Sequence, residues 1–200
     1  MRSLRFIFSA AAVSLLAVVA IPNQTLRANN NDDRVQPLRA SAKLSTFHEV
    51  VPKGTGASGT FRARLSSDGT TLNWTFTWTG LTGPPLFAHI HFAQPGVNGN
   101  VMTFLCGGPA GNPDVPAKPD CPQTTSGLIS GSTTAADIVA LNSGASDQGV
   151  DLHDFATFLN AIRAGTSYAN MHTARFPGGE IRGQLVVRPN QWDDDDDHDR

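Results

Sequence analysis

Residues 72–79 read LNWTFTWT, and this stretch constrains the fold more than any other. Leu72, Trp74, Phe76 and Trp78 alternate with Asn73, Thr75, Thr77 and Thr79. Successive side chains of a strand point to opposite faces, whereas a helix repeats about every 3.6 residues. The stretch therefore predicts a strand with an aromatic face in a core and a threonine face toward solvent, as antiparallel sheets show. The aromatics are read as core rather than as a ligand platform.

The same period recurs along the chain. Phe61, Ala63 and Leu65 alternate with Arg62 and Arg64, following a first strand over 42–51. Further strands are predicted over 86–92, 100–105, 127–131, 167–173 and 180–187, with Gly/Pro-rich turns between them. Many short strands joined this way predict an all-β, antiparallel, Greek-key-like sandwich. One segment changes period. Leu152, Phe155, Phe158, Leu159 and Ile162 fit a single helical stripe, with Asp151 or Asp154 to cap it and Gly165 to end it. This predicts one short helix inserted among the strands.

The N-terminal region reads as a targeting segment. Arg2 and Arg5 precede an apolar run from Phe6 to Ile21, which Pro22 breaks. The run is short for a bilayer span, so residues 1–28 are expected to be a signal peptide, cut after Ala20 or Ala28. An uncleaved anchor is the alternative. The product is expected to be secreted, periplasmic or attached to the cell surface, with no stable membrane span after cleavage. Residues 29–40 form a flexible lead-in, and one domain spans 41–188.

The net charge of −2 hides an uneven layout. Between Asn29 and Asn190 there are 11 basic and 11 acidic residues, and the negative excess lies in Asp193–Asp197 and Asp199. A neutral body argues against a nucleic-acid partner. The acidic run predicts a disordered tail over 189–200, and it lacks the loop spacing of a dedicated calcium cage.

Cys106 and Cys121 flank the Gly/Pro-rich stretch GGPAGNPDVPAKPD. Export permits oxidation, so a bridge closing this loop is the favoured reading. Two thiolate metal ligands are the alternative. The spacing excludes a CxxC redox motif.

AHIHFAQPG, residues 88–96, sets His89 and His91 on one face of a strand, with Ile90 and Phe92 on the other. In the late strand, Tyr168, Asn170 and His172 share a face. Strand pairing can bring His172 to the HxH pair. Three neutral imidazoles suit zinc or copper and leave a coordination position open. The other reading makes these histidines hydrogen-bonding framework groups. Glu180, Arg182 and Tyr168 are candidates either to orient the histidines or to support the sheet.

TWTGLTGPPLFAHIHFAQPG and YANMHTARFPGGEIRGQL together resemble the CHRD domain, first recognised in chordin and found widely in bacterial exported proteins. The resemblance covers roughly 40–187. It implies an all-β module of immunoglobulin-like or superoxide-dismutase-like form. It also implies an exported, noncatalytic binding or structural role, with an extracellular protein or surface as partner. Growth-factor binding is not carried over, because this chain lacks chordin's cysteine-rich modules. The alternative is a metal-binding sandwich with zinc or copper at His89, His91 and His172, open to redox activity.

Enzymatic readings rank last. There is no G-x-S-x-G elbow, no HExxH and no phosphate-binding or dinucleotide fingerprint. Superoxide chemistry would need a steering field that the neutral body does not supply, and more convergent histidines than a two-metal site finds here.

Overall fold

The computed structural model describes residues 35–188. The expected signal peptide, residues 29–34 of the lead-in and the acidic tail lie outside the described residues.

The strands are β1 (Arg39–Ser45), β2 (Ser58–Leu65), β3 (Leu72–Thr79), β4 (Pro85–Phe92), β5 (Asn100–Cys106) and β6 (Gly127–Thr133). The helix α1 (Phe155–Arg163) follows, and then β7 (Ser167–Thr173), β8 (Ile181–Gln184) and β9 (Val186–Val187). All pair antiparallel in one sheet of order β5-β4-β7-β8-β1-β2-β3-β6, with β9 on β1. The sheet closes toward a barrel or sandwich around a single apolar core, with one short inserted helix. Among the described residues no helix is long and apolar enough to cross a membrane.

The alternation in β3 organises one half of that core. Leu72, Trp74, Phe76 and Trp78 are buried, while Asn73 and Thr79 are exposed. Phe61 lies across from Phe76 on β2, edge to face at 6.0 Å, and stacks on Trp74 at 6.3 Å. Each such side chain contributes roughly 1.5–3 kcal/mol by leaving water. The indoles need room on the neighbouring strand. Trp74 lies opposite Gly131 and Trp78 opposite Gly127. A Cβ on Gly131 would stand 2.7 Å from Trp74 Cζ2, and one on Gly127 would stand 2.8 Å from Trp78 Cζ2. The indole N–H groups stay satisfied: Trp74 Nε1 donates to Thr133 Oγ1 and Trp78 Nε1 to the Thr124 carbonyl, both at 3.2 Å.

Element boundaries differ from the sequence expectation: β1 begins at Arg39 and β6 runs on to Thr133, and three other differences have a clear local reason. The first strand stops at Ser45, whose hydroxyl accepts from Phe47 N and caps a 3-10 turn over Thr46–His48. The last strand splits at Leu185, whose N–H donates to the Ser167 carbonyl before the chain moves across to β1. Leu152 precedes the helix and is half-exposed, because His153 turns the backbone at φ +65°. Asp154 is the cap, accepting from Thr157 N at 2.9 Å.

Cys106 and Cys121 form a disulfide with Cα atoms 5.0 Å apart. Both are therefore taken out of consideration as thiolate ligands. The bridge ties the loop between them to the end of β5, where Cys106 lies across from Ala88 of β4.

Gly131→Ala should destabilise the protein by about 1–3 kcal/mol, because its methyl group overpacks against a fixed indole. Chemical denaturation followed by far-UV circular dichroism measures it, and an unchanged midpoint would refute the close-packing account.

Candidate metal centre

The β4–β7 register builds the site. Phe87 lies across from His172, His89 from Asn170, and His91 from Tyr168. Residues directly opposite on paired strands share a face, as do residues two apart on one strand. Six side chains, three from each strand, therefore stand together. His89, His91 and His172 each offer a ring nitrogen that could hold a metal ion, and these nitrogens all lie within 4.8 Å of one another. The three residues are 7%, 8% and 7% exposed, so the cluster is nearly dry.

Aromatic rings wall it. Phe104 of β5 meets His89 edge to face at 4.6 Å, and Phe87 stacks on His89 at 5.9 Å. The His89 ring lies 5.3 Å from that of His91 and 4.8 Å from that of His172. Burial disfavours the charged imidazolium. It pushes His89 down to about 2, helped by the charges that His172 and His91 would carry. Burial also pushes His91 down to about 4, against the hydrogen bond to Gly99 that pulls it back up. His172 is lowered by burial and pulled back by its bond to Pro177. All three are neutral at pH 7, so each keeps a lone pair for a metal.

Hydrogen bonds assign the tautomers of two of them. His91 Nδ1 donates to the Gly99 carbonyl and His172 Nδ1 to the Pro177 carbonyl, both at 2.9 Å. A carbonyl only accepts, so the proton sits on Nδ1 and Nε2 carries the lone pair. Ligating histidines are commonly anchored in this way. His89 differs. Both of its ring nitrogens are buried and neither has a hydrogen-bond partner among the described residues. A buried polar atom left unpaired costs about 1–3 kcal/mol, and a metal ion is one group that would pair it. The donor set of three neutral imidazoles in an aromatic-walled pocket fits zinc or copper.

The supporting candidates divide. Tyr168 is part of the cluster, its ring parallel to His91 at 4.6 Å. Burial raises its hydroxyl above the usual value. Arg182 lies on the Tyr168 ring, with Cζ 3.4 Å from the centroid. Its guanidinium is buried and donates to Asn98 Oδ1 at 3.2 Å and to the carbonyls of Gln94 and Val97 at 3.3 and 2.6 Å. It thereby fastens the turn that carries Gly99, the acceptor of the His91 proton. Glu180 is fully buried and serves the framework instead. Its carboxylate accepts from Thr82 N and Oγ1 at 2.9 Å, Thr173 Oγ1 at 2.7 Å and Thr55 Oγ1 at 3.4 Å.

Two further residues, one beside the histidines and one behind it, were not singled out from the sequence. Asn170 stands between His91 and His172, with Oδ1 3.0 and 2.9 Å from their Nε2 atoms. Its place on the face shared by Tyr168 and His172 was the available signal. Glu49 is buried, its Oε1 has no hydrogen-bond partner among the described residues, and the Asn170 amide is one of the groups that favour its ionised form. Burial pushes this carboxyl up to about 7, against the pull of Arg182, Lys53 and that hydrogen bond. No local pattern marks it in the sequence. A hollow of about 1060 Å³ lies elsewhere, bordered by Arg39, Arg62, Arg64 and Arg188, and it contains none of the clustered histidines.

The depressed histidines make stability depend on pH with a definite sign. Below about pH 6.5 the unfolded chain takes up protons that the folded cluster refuses, so stability falls as pH falls. Replacing His89 with Phe removes one such group. In metal-free protein, the wild type should lose stability relative to His89→Phe by up to about 1.4 kcal/mol per pH unit below pH 6.5. Urea unfolding of both proteins from pH 7 to pH 5 tests this, and parallel profiles would refute it.

No curated protein and no solved structure matches the chain. The family description of the CHRD domain matches residues 40–185, well over half of the sequence, and spans every strand that carries a histidine of the cluster. The chain belongs to the CHRD domain family.

Proposed function

We propose that this protein is an exported module that binds one zinc or copper ion through His89, His91 and His172. The observation that carries the reading is His89, buried among aromatic rings with both nitrogens unpartnered. Beside it, His91 and His172 have their Nδ1 protons held by backbone carbonyls and their Nε2 lone pairs left for a ligand. A purely structural role would leave His89 with the full desolvation penalty and nothing to offset it.

The chain's own residues have separable parts in this function. The three imidazoles bind. Gly99 and Pro177 hold two of them in the ligating tautomer. Phe87 and Phe104 exclude water, and Arg182 secures the turn that holds Gly99. A bound zinc or copper ion would supply Lewis acidity, and copper would also supply a one-electron couple. Export is supported by Arg2 and Arg5 ahead of the apolar run, and by a disulfide that suits an oxidising compartment.

Metal analysis of the untagged protein, supplied with zinc and copper, tests the proposal. One equivalent per chain is expected. It should be retained when residues 193–200 are removed and lost when all three histidines are replaced by Phe or Gln. A folded wild-type protein that holds neither metal would overturn the assignment.

A further inference from the structure

The three-histidine centre has a fourth polar atom at its edge. Asn170 Oδ1 lies 3.0 Å from His91 Nε2 and 2.9 Å from His172 Nε2. These are hydrogen-bond distances, yet no proton lies between the atoms. Each Nε2 is bare, because the Nδ1 proton of each ring is committed to a carbonyl. An amide oxygen has no proton to give. A second proton on either ring would bury an imidazolium within a dry cluster of histidines. Three lone-pair donors thus converge with nothing to share.

Turning the amide over would set its NH2 toward the histidines, but the other side of Asn170 opposes this. There Asn170 Nδ2 and Glu49 Oε1 both border Gly179, and the Asn170 amide favours the ionised form of Glu49. Above about pH 7, where the Glu49 carboxyl is ionised and only accepts, the amide nitrogen is the group that faces it and the amide oxygen is turned toward the histidines. Space for this contact depends on Gly179. A Cβ at that position would stand 2.5 Å from Glu49 Oε1 and 2.8 Å from Asn170 Nδ2. Gly179 has φ +116°, a backbone conformation that also favours glycine.

Two atoms bound to one ion at about 2.0–2.1 Å, at angles between a right angle and a tetrahedral one, sit about 2.9–3.4 Å apart. The spacings of Asn170 Oδ1 from the two nitrogens fall in that range. We propose that Asn170 Oδ1 is a fourth protein ligand of the ion held by His89, His91 and His172, and that Glu49 positions it through the amide nitrogen. This rests on the three-histidine reading. It turns a site with an open position into one closed by the protein, which is the arrangement of storage or structural metal rather than of a substrate-binding centre.

Cobalt(II) is the probe, added to the metal-stripped full chain and followed by its visible absorption and by competition with a chelator. Asn170→Ala should shift the cobalt bands, because the ligand set changes, and weaken cobalt binding by about 10–100-fold. Asn170→Asp, which keeps an oxygen, should bind with altered bands. Glu49→Ala should weaken binding with the band positions of the wild type, and Glu49→Gln should restore it, since a Gln carbonyl still accepts from the Asn170 amide. A folded Asn170→Ala protein with wild-type bands and affinity would overturn the fourth ligand and leave the histidine site standing. If Asn170→Ala does not fold, unchanged bands in Asn170→Asp would overturn it equally. A wild-type protein that takes up no cobalt, zinc or copper would remove the histidine site as well.

Discussion

Antiparallel pairing of β4 with β7 sets Phe87 across from His172, His89 across from Asn170 and His91 across from Tyr168. Everything at the centre depends on that register. A slip of one residue would turn His89 and His91 away and present Ile90 and Phe92 instead. The register is held on both flanks. β8 pairs on the far side of β7, with Arg182 across from Asn170, while β5 pairs on the far side of β4, with Phe104 across from His89. The strands that carry the histidines are thus interior to the sheet, not at its edges.

Interior strands bury whatever they carry, and here they carry polar groups. β7 is buried along its whole length, including Asn170, His172 and Thr173. Such groups are tolerated where each finds a partner. Glu180 finds three threonines, and Arg182 finds two carbonyls, an amide oxygen and an aromatic face. His91 and His172 each place one proton on a carbonyl. Buried oxygens of Glu49, Thr103, Ser167 and Gln184 also lack a partner among the described residues, but His89 is the imidazole with neither nitrogen paired, and it sits where His91 and His172 converge.

The sheet was legible in the sequence to the degree that one face of each strand is apolar. LNWTFTWT meets that condition, and β3 has the expected bounds and faces. YANMHT does too in its extent, although burial on both faces is invisible to an alternation argument. The HxH pair could be read as co-facial, and His172 could be placed on a face with Tyr168 and Asn170. What local pattern does not encode is which strands become neighbours, and hence that Glu49 would meet Asn170 while Glu180 would turn to Thr82 and Thr173. The family resemblance pointed to the two segments that meet, but the partners of each carboxylate come from the register. The break at Leu185 was likewise hidden, because it arises from a bond to Ser167 that is long-range in sequence.

Tyr168 is the sole tyrosine of the chain, and it lies ring to ring with His91 under the Arg182 guanidinium. Trp74 and Trp78 belong to a different part of the sheet, separated from β7 by β8, β1 and β2. The phenol and the two core indoles thus sit in different parts of the sheet, while Trp192, the third tryptophan, lies outside the described residues. Phenol absorption answers to events at the histidine centre, and the two core indoles answer to the packing of the β3 aromatic face. Any ion that entered the centre would perturb the Tyr168 absorption, whereas melting of the fold would disturb the two core indoles, with no label attached.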